Sequence, residues 1–405
     1  MWKGDLMTLR SLALLACLTL LVFAAAADTP SPAASSRPAE TSSSQSASSA
    51  ADGEIPLPPP PPIVKYAGPT YCVIPMHGTV GEDIVSTVVD NAFKDILKRK
   101  PTAIILEMDS PGGLVREMAP LINAIHKYRD FRLVVFVKQA ISAAAITTIS
   151  VKEIYMAPGS VIGAATVFDM NEKEGTIKDS VAKTRTYVRE LAEIAAENGG
   201  HQILLAKAMV EANYSLVWKK ENGKKVIREG YETGNDERFL KRGKLLCITA
   251  GEAVDAGLAN GTAEDYKALG TAMGFPKWQE CKCYAPILMD NWSKNFQQAK
   301  KGFDRLEDEC KKDMKQAEAT DPSQFSYVLR NGFFTSDSQQ KWQTRSIACL
   351  KFLAQASDTL DKMADLAEKY PELLPDPRLI REERDRIDAI KMRMQARADK
   401  EGHGD

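Results

Sequence analysis

Residues 102–113, TAIILEMDSPGG, decide how the rest of the chain is read. Thr102–Met108 is a short apolar run rich in β-branched residues, too short for an independent helix, and reads as a buried strand. Asp109–Gly113 then supplies a sharp loop with two consecutive glycines. Upstream, 71–76 (YCVIPM) is a second short apolar run, and Asp83–Arg99 places Ile84, Val88, Ala92, Ile96 and Leu97 at helical spacing before Pro101. Downstream come a helical pattern over Leu114–Tyr128, a β-rich run at Leu133–Val137, a small-residue helical stretch at Ala140–Ser150 and a short strand at Glu153–Met156, closed by Ala157–Ser160. Strand and helix alternate with short loops, which predicts parallel βαβ units and an α/β fold.

The same reading extends to about Phe275. Val181–Asn198 is an amphipathic helix, Glu221-Asn222-Gly223-Lys224 is an Asn-Gly hairpin signal, and Thr249–Leu258 is a helix opened by a threonine cap with Glu252 at the capping-box position. Beyond it, 287–319, 339–369 and 379–400 are charged and helix-periodic. Trp292, Phe296, Phe303 and Leu306 form one stripe, which reads as helix-packing core. At the other end, Leu12–Ala27 has no charge and is shorter than the roughly 20 residues of a spanning helix. It follows Lys3 and Arg10 and ends in Ala25-x-Ala27, a secretory signal pattern; an uncleaved anchor is the alternative. Asp28–Gly53 is Ser/Ala/Thr/Pro-rich, and Pro58–Pro62 predicts a semi-rigid polyproline spacer. The expected division is a signal peptide at 1–27, a linker at 28–65, a catalytic α/β domain at 66–275 and a charged helical region at 276–405.

The 405 residues carry 53 Lys+Arg against 54 Asp+Glu, a net charge of -1. That balance predicts no nucleic-acid partner. No GxxxxGK[ST] motif occurs, and no metal-ligand spacing is apparent, so neither a metal nor a cofactor is expected. Six cysteines follow Cys17. An exported chain could pair them, Cys310 with Cys349 for instance, or bury them as small hydrophobes.

Two pieces bear on chemistry. The Asp109–Gly113 loop lies between a strand and a helix, where glycine backbone N–H groups can approach a ligand and form an oxyanion hole. Taken alone, Pro-Gly-Gly is also an ordinary turn. Ser142, in Gln139-Ala-Ile-Ser-Ala-Ala-Ala, sits at a strand-to-helix corner, placed either as a nucleophile with the Ala143 N–H as a further oxyanion donor or as a helix N-cap.

ILEMDSPGG, the serine in AISAAA and EIYMAPGSVIGAA, in that order and spacing, resemble the membrane-associated ClpP-class serine proteases. NfeD-type proteases are the nearest kin and signal peptide peptidase A a relative. VIPMHGTV and ITAGEAVDAGLANG fit the same pattern, and the resemblance covers about 70–275. It implies a ClpP/crotonase-like spiral of βαβ units, here followed by the α-helical C-terminal region. It also implies homo-oligomers and cleavage of hydrophobic or membrane-associated protein segments. By resemblance, Ser142 is the nucleophile, Gly112, Gly113 and Ala143 form the oxyanion hole, and the general base is Lys183, forty-one residues downstream; Lys178 is the reserve. The histidine of soluble ClpP would fall at Val167, so no Ser–His–Asp triad is expected.

The family's Ser-Ala-Gly is Ser142-Ala143-Ala144 here, and the added methyl could narrow the substrate groove. The expectation is therefore an exported serine endopeptidase of the periplasm or envelope. The first alternative is an inactive scaffold gripping peptides or envelope proteins through its groove and helical tail. A crotonase-type acyl-CoA enzyme is a remoter one, disfavoured by the export signal.

Overall fold

Alternation along the first strand explains why a sheet forms at the centre. In Thr70–His77 (β1), Cys72, Ile74 and Met76 face one side and Tyr71 and Val73 the other, and all five are buried. A strand apolar on both faces belongs inside a sheet covered on both sides. The computed structural model describes residues 54–166, 178–221, 224–234, 236–373 and 378–401. These all lie in the second of the chain's two units, Ala50–Asp405. The signal pattern, the Ser/Ala-rich stretch and Val167 fall outside the described residues.

After β1 the chain runs through α1 (Ser86–Leu97), β2 (Ala103–Ser110), α2 (Val115–His126), β3 (Leu133–Ile141), α3 (Ala143–Ile149), β4 (Glu153–Met156) and β5 (Val161–Gly163). Then come α4 (Lys178–Gly199), α5 (Ile203–Val210), β6 (Leu216–Glu221), β7 (Lys224–Glu229), β8 (Glu237–Leu240), β9 (Cys247–Thr249), α6 (Ala250–Asp255), β10 (Gly261–Thr262), α7 (Tyr266–Ala272) and β11 (Gln279–Glu280). The principal sheet has the order β10-β4-β3-β2-β1-β11, parallel at every pairing. β5 extends it beside the end of β3 and pairs antiparallel with β9. This is the α/β fold with βαβ units expected from the alternation. The sheet outlasts Phe275, because Thr70 and Tyr71 pair with Gln279 and Glu280.

One face of the sheet is covered by α1 to α6, whose buried residues join Ile74, Leu106, Val135 and Ile154 in the main core. The other face packs Tyr71, Phe136, Tyr155 and Trp278 around α7. The hairpin signal sits between β6 and β7, paired antiparallel from Leu216↔Glu229 to Glu221↔Lys224; its Asn222-Gly223 turn lies outside the described residues. The capping box is formed: Thr249 accepts from the Glu252 N–H, and Glu252 accepts from the Thr249 N–H at 2.8 Å.

The C-terminal region is helical as expected: α8 (Ala285–Thr320), β12 (Leu329–Arg330), β13 (Phe333–Phe334), α9 (Ser336–Lys369) and α10 (Arg378–Glu401). Phe303 and Leu306 on α8, Leu353 and Leu360 on α9 and Ile387 and Ile390 on α10 share a separate core. Cys310 and Cys349 are both buried there with free thiols. The disulfide that their helical placement permitted is not formed; the Cys349 thiol instead donates to the Ala317 carbonyl at 3.3 Å. The start of α8 packs on the α/β domain. Trp292 donates to the Glu82 carbonyl at 2.7 Å, Ser293 to Asp83 at 2.6 Å, and Lys300 pairs with Glu82 at 2.8 Å.

The proline segment is docked rather than projecting as a spacer. The Ile55 N–H donates to Asn295 Oδ1 at 2.7 Å, and the Asn291 and Asn295 amides return to the Ile55 carbonyl at 2.8 and 3.1 Å. Tyr284 donates to the Pro58 carbonyl, and Arg99 reaches Pro61 at 3.0 Å and Pro62 at 3.3 Å. Proline has no N–H to give, so its carbonyls are what neighbouring donors can hold.

Candidate active site

The β2 loop is zipped to the segment after β1. The Gly78 N–H donates to the Asp109 carbonyl, Val80 to Gly112 and Leu114 to Val80, at 2.8 to 3.0 Å. Gly113 lies so close to Val80 that a Cβ there would sit 2.0 Å from the Val80 carbonyl oxygen. Ser110 is fully buried, and its Oγ accepts the Gly112 N–H at 3.1 Å. That commits one of the three expected oxyanion donors to shaping the loop. Gly113 and Ala143 are the remaining two. Ser110 escaped the sequence reading, although a serine two residues before a loop glycine is a known turn former.

β3 delivers Ser142. Its N–H donates to the Gly163 carbonyl at 3.0 Å, and its own carbonyl accepts from Ala145 and Ile146, so the strand turns directly into α3. The turn is tight enough to hold Ser142 at φ 57 and ψ -125, a region unfavourable for any residue with a Cβ. Although Ser142 occupies the N-cap position, its side chain makes no capping hydrogen bond. The N-cap alternative therefore leaves the hydroxyl unexplained. Gly112 is pressed against it: a Cβ at 112, itself at φ 106, would stand 2.5 Å from Ser142 Cβ and 3.2 Å from Ser142 Oγ. The glycine loop and the serine corner, separated in sequence, thus meet. Ala143 opens α3, where the first N–H groups have no acceptor within the helix.

All seven residues of α3 are buried. The Ala144 methyl, expected to narrow a groove, is fully buried in the main core. Lys183 stands on an exposed part of α4. Among the described residues, no hydrogen bond joins it to Ser142. Segment 167–177, between β5 and α4, lies outside the described residues, as does the side chain of Lys178.

A second polar group sits at the ends of β1 and β2. His77 Nε2 and Glu107 Oε1 are 2.8 Å apart, and the Tyr266 hydroxyl donates to Glu107 Oε2 at 2.5 Å. The hydrogen bond to Glu107 raises the His77 pKa. Burial pushes Glu107 up, but the hydrogen bonds from His77 and Tyr266 outweigh it and hold the carboxyl below its ordinary value. The signal for this pair was a lone charge inside the apolar run IILEM. Of the other described histidines, His201 is tied to the Val151 carbonyl at 2.9 Å and His126 lies 3.3 Å from Arg129. Neither meets Ser142. No cluster of three or more His, Cys, Asp or Glu among the described residues could hold a metal.

A parallel α/β sheet thus sets a strained serine between a glycine loop and a buried helix. The family described as NfeD1b, N-terminal domain, matches residues 70–279, and the chain belongs to it. The membrane protein NfeD1b of Bacillus subtilis (strain 168) is 28% identical over 211 residues, which are 52% of this chain and 42% of that protein. The chain thus spans less than half the length of this relative. Among solved structures, a 1510-N membrane-bound stomatin-specific protease is similar at 20% identity and a TM-score of 0.35, over 51% of this chain and 86% of that one. The 1510-N membrane protease specific for a stomatin homolog from Pyrococcus horikoshii is similar at 20% identity and 0.33, over 51% and 79%. Among the described residues, no helix is long and apolar enough to cross a membrane.

Proposed function

We propose that the chain is a serine endopeptidase in which Ser142 attacks a peptide carbonyl. The observation that carries this reading is the Ser142 corner: strained backbone, a hydroxyl unused as a cap, and Gly112 packed against it. Strain of this kind persists where the surrounding structure holds it and clusters at functional positions. In the proposed reaction, the Ser142 oxygen forms an acyl bond to the substrate while the Gly113 and Ala143 N–H groups receive the developing oxyanion. Lys183 takes the serine proton, gives it to the leaving amine, and then activates water to release the acyl group. A lysine serves as a base only when burial removes its proton. Lys183 is exposed, so the reading requires substrate, or a second protomer of a homo-oligomer, to cover that turn of α4.

The substrate class proposed is a hydrophobic or membrane-associated protein segment. Family membership and the naming of one relative, from Bacillus subtilis, as a membrane protein support it. Export through the N-terminal apolar run fits the same setting. The test is labelling by a fluorophosphonate together with peptide turnover. Ser142→Ala should abolish both, and Lys183→Ala should lower turnover by about 100-fold or more, the usual worth of a general base. Labelling unchanged in Ser142→Ala would end the proposal.

One observation favours the scaffold alternative, namely the commitment of the Gly112 N–H to Ser110. Peptide binding that survives Ser142→Ala, with no turnover by the wild type, would establish it.

A further inference from the structure

Between the end of α8 and the start of α9 the chain builds a small hairpin. Its strands are β12 and β13, with Leu329 paired to Phe334 and Arg330 to Phe333. Asn331 and Gly332 make the two-residue turn, at φ 57 and 89. Positive φ at both positions is the type I′ geometry that Asn-Gly favours and that suits a hairpin. So short a hairpin is not stable alone, and here its base is tied down. The Val328 N–H donates to the buried Ser338 hydroxyl at 3.0 Å, and the Thr335 N–H donates to the Val328 carbonyl at 3.2 Å. Tyr327, Phe334 and Trp342 pack ring against ring, with centroids 5.3 to 5.6 Å apart. Arg397 of α10 lies 5.1 Å from the Tyr327 ring and donates to the Ser323 and Phe325 carbonyls at 2.7 Å.

What this pedestal carries is apolar and exposed. Side chains alternate across a strand, so Tyr327 and Phe334 share the face turned to Trp342, while Val328, Arg330 and Phe333 share the other. Val328 is 67% exposed and Phe333 38%; Leu329, at the end of the inner face, is 42% exposed. Single exposed apolar side chains are ordinary. Three within six residues, on a rigid turn and around one cation, mark an interaction surface. Arg330 is exposed and makes no ion pair among the described residues. The carboxylates at this end of the helical region have partners of their own: Asp337 pairs with Lys341, Asp321 with Arg393 and Glu401 with Arg397. The turn therefore presents apolar side chains together with an uncompensated positive charge.

We propose that this hairpin docks on the surface of an anionic phospholipid membrane. Val328, Leu329 and Phe333 enter the boundary of the acyl chains, and Arg330 stays at the level of the lipid phosphates. A convex turn has no walls with which to enclose a partner's side chain, whereas a bilayer closes around whatever enters it. Apolar side chains gain by leaving water for that boundary, and a guanidinium meets a phosphate through two parallel hydrogen bonds. The Asn331-Gly332 turn is fixed beforehand, so docking orders little of the chain. The docking does not depend on whether Ser142 is a nucleophile.

The test uses the full chain and vesicles of phosphatidylcholine, with or without phosphatidylglycerol, that carry a phosphatidylcholine bearing a diazirine near the head of one acyl chain. After irradiation and digestion with trypsin, lipid adducts are mapped by mass. Cleavage after Arg330 puts Val328 and Leu329 on one peptide and Phe333 on the next. Adduct yield is read per vesicle-bound molecule, so attachment through Leu12–Ala27 does not stand in for the hairpin. The expected result is adducts on both peptides, about five-fold more with phosphatidylglycerol than without, the usual gain of one cation near an anionic surface. Val328→Ser, Leu329→Ser and Phe333→Ser combined should cut that yield at least about ten-fold. Arg330→Gln should remove the dependence on phosphatidylglycerol. The four side chains are exposed, so both variants should keep the wild-type Tm. No adduct on either hairpin peptide of the wild type, equal yields on the two kinds of vesicle, or a yield that the triple variant leaves unchanged would overturn the proposal. The wild-type map needs no variant, so a variant that failed to fold would not obscure the answer.

Discussion

Ser142 costs the fold something. Its φ of 57 is paid for by the packing of Gly112 and the bond to Gly163, and such a conformation typically costs about 1–3 kcal/mol. Glycine has no Cβ to strain. Ser142→Gly should therefore be more stable than Ser142→Ala by about 1 kcal/mol, which a pair of thermal melts would show; equal melts would mean the corner is relaxed. The His77–Glu107 pair makes a second statement at this scale. The raised His77 contributes stability fully below its ordinary 6.5 and loses it as pH rises through the raised value. The lowered Glu107 contributes above its ordinary 4.5 and loses it only as acid protonates it. Both contributions are present between those limits. Glu107→Gln should therefore destabilise the protein most near about pH 5.5, by about 0.5 kcal/mol because His77 is half exposed to solvent, and less at about pH 9. A Tm difference that grew with pH would contradict this.

At the scale of elements, α3 is the part of the site most firmly held. A helix buried on every side has no solvent face to choose, so its first residue, and the Ser142 corner before it, take their position from the core. Ala144 belongs to that core. Ala144→Gly, which restores the family's Ser-Ala-Gly, should lower stability by about 1 kcal/mol through helix propensity. It should leave fluorophosphonate labelling within error of wild type. A clear gain in labelling would show that the methyl obstructs the site after all.

Over the whole molecule, α8 does two jobs. At about 1.5 Å per residue its 36 residues extend about 54 Å. Its first turns are bonded to the loop around Glu82 and Asp83 while its later turns build a separate core. The proline strap crosses those first turns. Asn295 is its anchor, buried and bonded to both the N–H and the carbonyl of Ile55. Asn295→Ala should release the strap, giving cleavage after Glu54, next to the Ile55 that Asn295 holds, by a glutamate-specific protease at least several-fold faster than in wild type, while the α/β domain keeps its melt. Cleavage at the wild-type rate would show that the strap is held elsewhere.

The sequence by itself determined the elements of this protein. Apolar runs such as Thr102–Met108 become strands and periodic runs such as Val181–Asn198 become helices, because burial and backbone hydrogen bonding act on near neighbours. The capping box at Thr249 and the hairpin flanking Asn222-Gly223 are likewise local. So are the ordered motifs that marked the family. Only the tertiary structure decided which distant residues meet. It pressed Gly112 against Ser142, turned the Gly112 N–H to Ser110, paired Glu107 with His77 and Tyr266, held the proline segment with Asn295, Tyr284 and Arg99, and left Cys310 and Cys349 as free thiols. Each of these depends on strand order and loop register, and those are set by the packing of the sheet as a whole, which no window of neighbouring residues encodes.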